Sequence, residues 1–164
     1  MKKYIKFMAF AMMAVFCLAL VSCGDDEDDE PSTGGNIVGT WKCDLAFDFD
    51  KEDDLFAIEE YHSYLYSQYK EDGTLINVYV YITKYNKEAK EQLGLKDETE
   101  VEIERGTYRI NGNKITETID GETDSGEFKV SGNKLILTST GGLIMSVTFS
   151  RVNYDEINQY LKKK

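Results

Sequence analysis

Histidine and cysteine, the residue types most easily recognised as a general base and a nucleophile, are scarce in this sequence, whereas its 30 acidic residues are too numerous for a catalytic pair to be picked out. The 164 residues include one histidine, His62, and three cysteines. A catalytic thiol needs a base close to it in space, and His62 is the only histidine that could serve Cys43. The segment around His62 has no signature of a catalytic triad. We therefore predict no catalytic residues, a Cys43 buried as a small apolar side chain, and a protein that is not an enzyme.

One acidic segment has part of the spacing of a calcium-binding loop. Residues 48–54 read Asp-Phe-Asp-Lys-Glu-Asp-Asp, but they lack the glycine and the closing glutamate that such a loop uses. We predict a solvated loop here and no metal site. The sequence also contains no glycine-rich phosphate loop and no cysteine–histidine set for zinc, so no cofactor is predicted.

The N-terminal residues predict export and a lipid anchor. Lys2, Lys3 and Lys6 precede an apolar run over residues 7–21, which is typical of a secretory signal peptide. The run is shorter than the roughly 20 residues that a membrane-spanning helix requires. Ser22 and Cys23 resemble the lipobox of bacterial lipoproteins. This resemblance implies that residues 1–22 are removed and that Cys23 becomes a lipidated N-terminus, which anchors the protein to a membrane.

The residues after Cys23 give an indication of the cellular location of the anchored protein. Residues 25–30 are all acidic, and such a block is typical of a disordered, solvated spacer, which we extend over residues 23–36. The run also resembles the acidic export signal of lipoproteins of the Bacteroidota, which implies an outer-membrane protein exposed at the cell surface. The inner face of the outer membrane stays an alternative. The net charge of −11 at pH 7 argues against nucleic acid as a partner.

From Ile37 onward the sequence predicts one all-β domain, over residues 37–164. Runs rich in Val, Ile, Thr, Tyr and Phe alternate with tight-turn signals. Residues 108–115 resemble residues 128–135, as expected of repeated hairpins. An open sheet would leave two exposed edges, so we predict an eight-stranded antiparallel up-and-down barrel with a short C-terminal helix. The predicted strands cover residues 37–47, 57–70, 74–85, 99–110, 113–120, 123–131, 133–140 and 143–152, and helices are predicted within 86–95 and 154–164.

The start of this domain resembles the lipocalin and calycin superfamily. Gly39 and Trp41 form a Gly-x-Trp motif at the first strand, and Arg151 lies near the end of the last predicted strand. The sequence is most similar to small lipocalin-like lipoproteins of the Bacteroidota. The resemblance implies that Trp41 closes one end of the barrel and that Arg151 packs across it. Both are therefore expected to form a structural pair and not a binding site.

Alternation along the third predicted strand divides its side chains between two faces. If a three-residue loop precedes the strand, Tyr69 pairs with Leu75 and the face that holds Tyr79 is the interior. The opposite phase would make the tyrosines an outer binding surface. In the interior assignment Ile76, Val78, Val80 and Ile82 face outward and need cover from residues 86–95, the C-terminal helix or a partner. The residues predicted to line a ligand site are Tyr61, Leu65, Tyr69, Tyr79, Tyr81, Tyr108, Phe128, Leu135, Leu137, Met145, Val147 and Phe149.

Two functions are compatible with such a barrel. The first is a lipid-anchored carrier or sensor that holds a small apolar or amphipathic ligand, which predicts an interior cavity of ligand size. The alternative is an interaction module whose barrel is filled and which docks another surface or periplasmic protein. That alternative predicts an exposed apolar or tyrosine patch.

Overall fold

The computed structural model describes residues 35–45, 57–140 and 145–162. The predicted signal peptide, Cys23, the acidic run at residues 25–30 and the acidic segment 48–54 lie outside the described residues. The described chain forms eight strands and two helices. The strands are β1 (Gly39–Leu45), β2 (Ile58–Tyr69), β3 (Thr74–Tyr85), β4 (Glu98–Asn111), β5 (Lys114–Ile119), β6 (Glu122–Ser131), β7 (Lys134–Ser139) and β8 (Ser146–Val152), and the helices are α1 (Lys87–Leu93) and α2 (Tyr154–Leu161).

The eight strands close into an up-and-down barrel. Each strand pairs antiparallel with the next along the chain, and β1 also pairs with β8 through Trp41 and Arg151. Closure gives both edge strands a hydrogen-bonding partner. The predicted barrel with its C-terminal helix is confirmed. The first strand begins at Gly39 and not at Ile37, because the chain before Gly39 lies against the end of the barrel.

The hairpin between β2 and β3 fixes which side of these strands faces inward. Lys70 and Thr74 are hydrogen-bonded through their backbones at 2.9 Å and close a three-residue loop. Gly73 in this loop has φ +81°, a left-handed conformation that glycine adopts without strain. The loop sets Tyr69 opposite Leu75. As a result the tyrosine face of β3 points into the barrel.

Two apolar layers result from the alternation along the strands. Residues of all eight strands form the inner layer, which includes Trp41, Leu75 and Leu135, each fully buried. The outer layer lies on β2 and β3, where Val78 and Val80 are also fully buried. Both faces of β3 are therefore apolar because one fills the barrel and the other is covered from outside.

Helix α2 covers the outer layer. Asn153 caps its N-terminus by accepting a hydrogen bond from the Asp155 backbone at 3.1 Å. Ile157 is fully buried in the outer layer, and the Tyr160 ring lies 5.8 Å from the Tyr66 ring. Of the three predicted sources of cover, which were residues 86–95, the C-terminal helix and a partner, the C-terminal helix is the one that packs on this layer. No helix within the described ranges is both long and apolar enough to span a bilayer.

Candidate ligand cavity

Trp41 and Arg151 seal one end of the barrel. The buried Trp41 indole donates a hydrogen bond from Nε1 to the Ile37 carbonyl at 2.7 Å. The Arg151 guanidinium lies 4.2 Å from the centre of the indole, within cation–π range. Its Nη1 also donates to the Val38 carbonyl at 3.1 Å. These contacts hold the chain before β1 across the barrel end.

The need for glycine at the first position of the Gly-x-Trp motif has a steric explanation. Gly39 has φ +146°, a conformation that other residues rarely adopt. A β-carbon at Gly39 would lie 2.4 Å from Nη1 of Arg151. Glycine is required here because it lets the guanidinium pass over the backbone to reach the indole.

Aromatic and aliphatic side chains fill the half of the barrel next to this seal. The rings of Tyr69 and Tyr108 meet edge to face at 5.1 Å. The Tyr108 hydroxyl donates to the Lys70 carbonyl at 2.7 Å. Phe128 and Leu135 are buried in the same cluster. This half of the barrel is therefore a packed core, in which the Tyr108 hydroxyl has a hydrogen-bond partner.

A cavity of about 140 Å³ lies within the barrel and is partly open to solvent. Its walls come from β2, β3 and β5 to β8. The apolar wall consists of Leu65, Ile115, Leu137, Met145, Val147 and Phe149, together with the rings of Tyr69 and Tyr79. The polar wall consists of Ser67, Asn77, Glu117, Asp124, Ser125, Gly126, Glu127, Thr138 and Ser139.

The predicted lining residues divide between this cavity and the packed core. Tyr108, Phe128 and Leu135 belong to the core cluster and do not line the cavity. Tyr61 and Tyr81 are partly buried and lie outside its lining, although Tyr81 packs against the interior cluster. The seven that do line it are Leu65, Tyr69, Tyr79, Leu137, Met145, Val147 and Phe149.

Glu117 is the principal cavity residue that the sequence prediction missed. The Tyr69 hydroxyl donates a hydrogen bond to Glu117 Oε1 at 2.6 Å. Burial raises the pKa of Glu117, the charge of Asp124 raises it further, and the Tyr69 hydrogen bond lowers it in part. Asp124 is the cross-strand partner of Glu117 on β6. The cavity therefore contains one partly buried carboxyl group with a second beside it.

The repeat in the sequence carried a signal for Glu117. Tyr108 corresponds to Phe128 and Ile115 to Leu135 at a spacing of twenty, so Glu117 corresponds to Leu137. Leu137 was predicted to face the interior, and the same phase applied to β5 brings Glu117 inward. The polar neighbours Thr116 and Thr118 concealed this because they make the strand resemble a solvent-exposed one.

Glutamates of β4 lie beside the tyrosines of β3, on the same side of the sheet. Tyr79 is paired with Glu102, and Tyr81 with Glu100, and both of these glutamates are exposed to solvent. Burial raises the pKa of Tyr79, and the charge of Glu104 raises it further. Burial and then the charge of Glu102 raise the pKa of Tyr81 to about 12. These phenols therefore stay protonated at neutral pH.

The structure separates the two residues that could have formed a thiol–imidazole pair. Cys43 faces the barrel interior and is buried. His62 lies on the outer face of β2, where Nε2 is 2.6 Å from Glu60 Oε1 and the ring stacks with Tyr64. Within the described parts of the chain, no group of three or more His, Cys, Asp or Glu side chains could hold a metal ion.

A second depression, of about 260 Å³, lies outside the barrel beside α1. It is lined by Ala57 and by residues of α1 and its N-cap, namely Asn86, Glu88, Ala89, Gln92 and Leu93. This depression is more open to solvent than the interior cavity. Leu93 in this lining is 68% exposed. We place the candidate site in the interior because only that cavity combines an extended apolar wall with inward polar groups.

The closed pairing of eight antiparallel strands defines an up-and-down β-barrel, of a size that either fills with its own side chains or holds one small ligand. No family model matches the chain, and no curated protein matches it. Similar solved structures include crystal structures of two mutants of the fluorescent protein UnaG, at 14% and 16% identity. Each alignment covers 71% of this chain and 96% of the UnaG chain, with a TM-score of 0.30.

Proposed function

We propose that this protein is a membrane-anchored, lipocalin-like lipoprotein that binds a small apolar or amphipathic ligand and catalyses no reaction. The observation that carries the proposal is the interior cavity, whose lining combines apolar and aromatic side chains with polar groups such as Asn77 and Glu117. Pockets with this division of surface hold small molecules by burying an apolar body and orienting it through polar contacts. The volume of about 140 Å³ lies below that of drug-sized pockets, so the ligand is small.

The sequence supports the membrane anchor. The basic start, the apolar run over residues 7–21 and Cys23 after Ser22 have the order of a lipoprotein signal, and the acidic run at residues 25–30 resembles a surface-export signal. We propose that acyl chains on Cys23 hold the barrel at the outer membrane, exposed at the cell surface. Lipid anchoring would place the cavity next to the membrane, where apolar molecules are concentrated.

Ligand binding is tested by native mass spectrometry of the protein released from lipid nanodiscs that were prepared without added ligand. We expect a bound small molecule in addition to the acyl chains. The Leu137→Trp variant, which places a large side chain in the cavity, is expected to lose the bound mass. An interior that carries nothing in either protein, together with no binding of any added small molecule, would refute the carrier function.

The anchor is tested by fractionation and by labelling with an alkyne fatty acid. Cys23→Ser is expected to lose the label, whereas Cys17→Ser, in the apolar run, is expected to keep it. Protease treatment of intact cells then tests surface exposure: we expect cleavage of the wild-type protein. Replacing residues 25–30 with Asn and Gln is expected to leave the protein in the membrane fraction but to protect it from protease.

The alternative function, a protein-interaction module, has one observation in its favour. The half of the barrel next to Trp41 is packed, and the cavity occupies only the remaining part. A docking surface should present a contiguous apolar patch. The exposed large apolar side chains of the described chain are Leu93, Ile110 and Tyr154, which lie on three different elements. This scatter favours the ligand-binding function.

A further inference from the structure

We infer that the cavity selects ligands with a positively charged amine at one end of an apolar body, with Glu117 and Asp124 as the groups that receive the amine. This inference rests on the proposed ligand-binding function and specifies the chemical class of the ligand. It follows from the placement of the carboxyl groups in the cavity.

The carboxyl groups lie at one side of the apolar space. Glu117 on β5 and Asp124 on β6 are directly paired across the two strands, and both line the cavity. Apolar lining comes from other strands, through Val147 and Phe149 on β8 and through Leu65 on β2, which stands across the ring of eight strands from β6. A ligand with a short apolar body in contact with that lining would bring its polar end to the two carboxyl groups.

The charges around the cavity have one sign. Its described lining contains Glu117, Asp124 and Glu127 and no lysine, arginine or histidine. Arg151, the exposed cation at the sealed end of the barrel, is engaged with Trp41 and the Val38 carbonyl. An anionic ligand such as a fatty acid would meet like charges with no compensating cation, which is unfavourable in a partly desolvated site.

A protonated amine, unlike an anionic ligand, would be attracted by the carboxyl groups of the cavity. Glu117 lines the cavity, and burial there raises its pKa because its charged form loses contact with water. An ammonium group would compensate for that loss and donate charge-assisted hydrogen bonds to the carboxylates. The Tyr69 hydroxyl already donates to one oxygen of Glu117 and holds the carboxyl group in place.

Met145 offers a direct reporter of binding. It lines the cavity, and it is the only methionine after residue 22. Carbon-13 labelling of methionine methyl groups would therefore give a cavity signal from the full chain in nanodiscs of zwitterionic lipid, assigned with a Met145→Leu variant. The probes are hexylamine, hexanol and hexanoate, which share a chain length and differ in the charge of the end group.

We expect hexylamine to bind about tenfold or more tightly than hexanol, because a hydrogen bond to a charged group is the stronger kind, and hexanoate to bind most weakly. Glu117→Gln should abolish the preference for the amine and keep the affinity for hexanol. Asp124→Asn, at the exposed rim, should reduce the preference in part. The matched control Glu71→Gln, in the turn at the sealed end, should keep the full preference.

The outcomes separate this inference from the function on which it rests. Equal binding of hexylamine and hexanol, or a preference for the amine that survives both Glu117→Gln and Asp124→Asn, would overturn the cation selectivity and leave ligand binding intact. No shift of the Met145 methyl signal with any of the three probes would overturn ligand binding itself. Tighter binding of hexanoate than of hexanol would contradict the charge argument directly.

Discussion

The contact between Trp41 and Arg151 shows how a short sequence motif acts through individual atoms. Gly39 leaves room for the guanidinium, the guanidinium covers the indole, and the indole holds the Ile37 carbonyl. Each of these contacts therefore depends on the one before it. The Gly-x-Trp pattern and the distant arginine therefore predict a barrel seal better than they predict any ligand.

Arg151→Ala is expected to lower the free energy of unfolding by about 1 to 3 kcal/mol, because it removes the cation–π contact and the hydrogen bond to Val38. Urea denaturation measures the change. Arg109→Ala, on the exposed outer side of β4, should change stability by less than about 0.5 kcal/mol. Equal effects of the two substitutions would mean that the seal contributes nothing to stability.

The burial of Glu117 predicts that its contribution to the stability of the fold decreases as pH rises, whereas that of an ion-paired surface carboxylate increases. Its pKa is raised above 4.5, so the folded state keeps this proton to a higher pH than the unfolded chain does. The wild-type protein therefore loses stability as pH rises from about 4.5 through the folded pKa. Glu117→Gln lacks this loss and should gain stability relative to wild type over that interval, measured by urea midpoints below pH 4.5 and at pH 7.

Glu60 provides the contrasting control. Hydrogen bonds from Lys84 and His62 lower its pKa to about 2, so its contribution is present above 4.5 and is lost as pH falls through about 2. Glu60→Gln should therefore be the less stable protein at pH 7 and approach wild type in acid. If both substitutions shift stability in the same direction between acid and pH 7, the burial of Glu117 is not as described.

At the scale of elements, α2 works as a cover for one patch of the barrel exterior. Its buried face belongs to the same layer as the aliphatic side chains of β3 and the ring of Tyr66 on β2, while Glu156 and Gln159 are exposed. Ile157, together with the contact between the Tyr160 and Tyr66 rings, therefore joins α2 to β2 and β3.

Ile157→Ala is expected to lower the free energy of unfolding by about 2 to 4 kcal/mol, because it opens a cavity at a fully buried site. Gln159→Ala, on the exposed face of the same helix, should have little effect. Amide hydrogen exchange should show faster exchange across α2 in the first variant only. Similar stability of both variants would show that α2 is not packed on the barrel.

The strands also show how far the sequence could predict the fold. The alternation on β3 left two phases open, and the predicted one depended on a three-residue loop around Gly73. The structure has that loop and sets Tyr69 opposite Leu75, which confirms the phase with the tyrosines inward. The inward turn of Glu117 was not predicted, because Thr116, Glu117 and Thr118 give a polar strand that periodicity alone assigns to solvent. The twenty-residue repeat carried a weak signal for the inward phase, and the pairing of β5 with β4 and β6 settles it.

For the whole molecule, the barrel divides into a packed half and a half that contains the cavity. The packed half follows from the aromatic and aliphatic residues that the sequence makes visible. The cavity depends on which side chains from β2, β3 and β5 to β8 fail to fill the space between them. Its size and its acidic wall are set by contacts between distant strands, so composition and alternation could not predict them.

The claim that the interior is the binding site is tested most directly with a pair of adjacent substitutions on β8. Val147 lines the cavity, whereas Thr148 is exposed on the outer face. We predict that Val147→Phe weakens hexanol binding about tenfold or more, that Thr148→Phe leaves it unchanged, and that both variants keep the wild-type urea midpoint within error. Equal hexanol affinity in the wild-type protein and both variants would contradict an interior site.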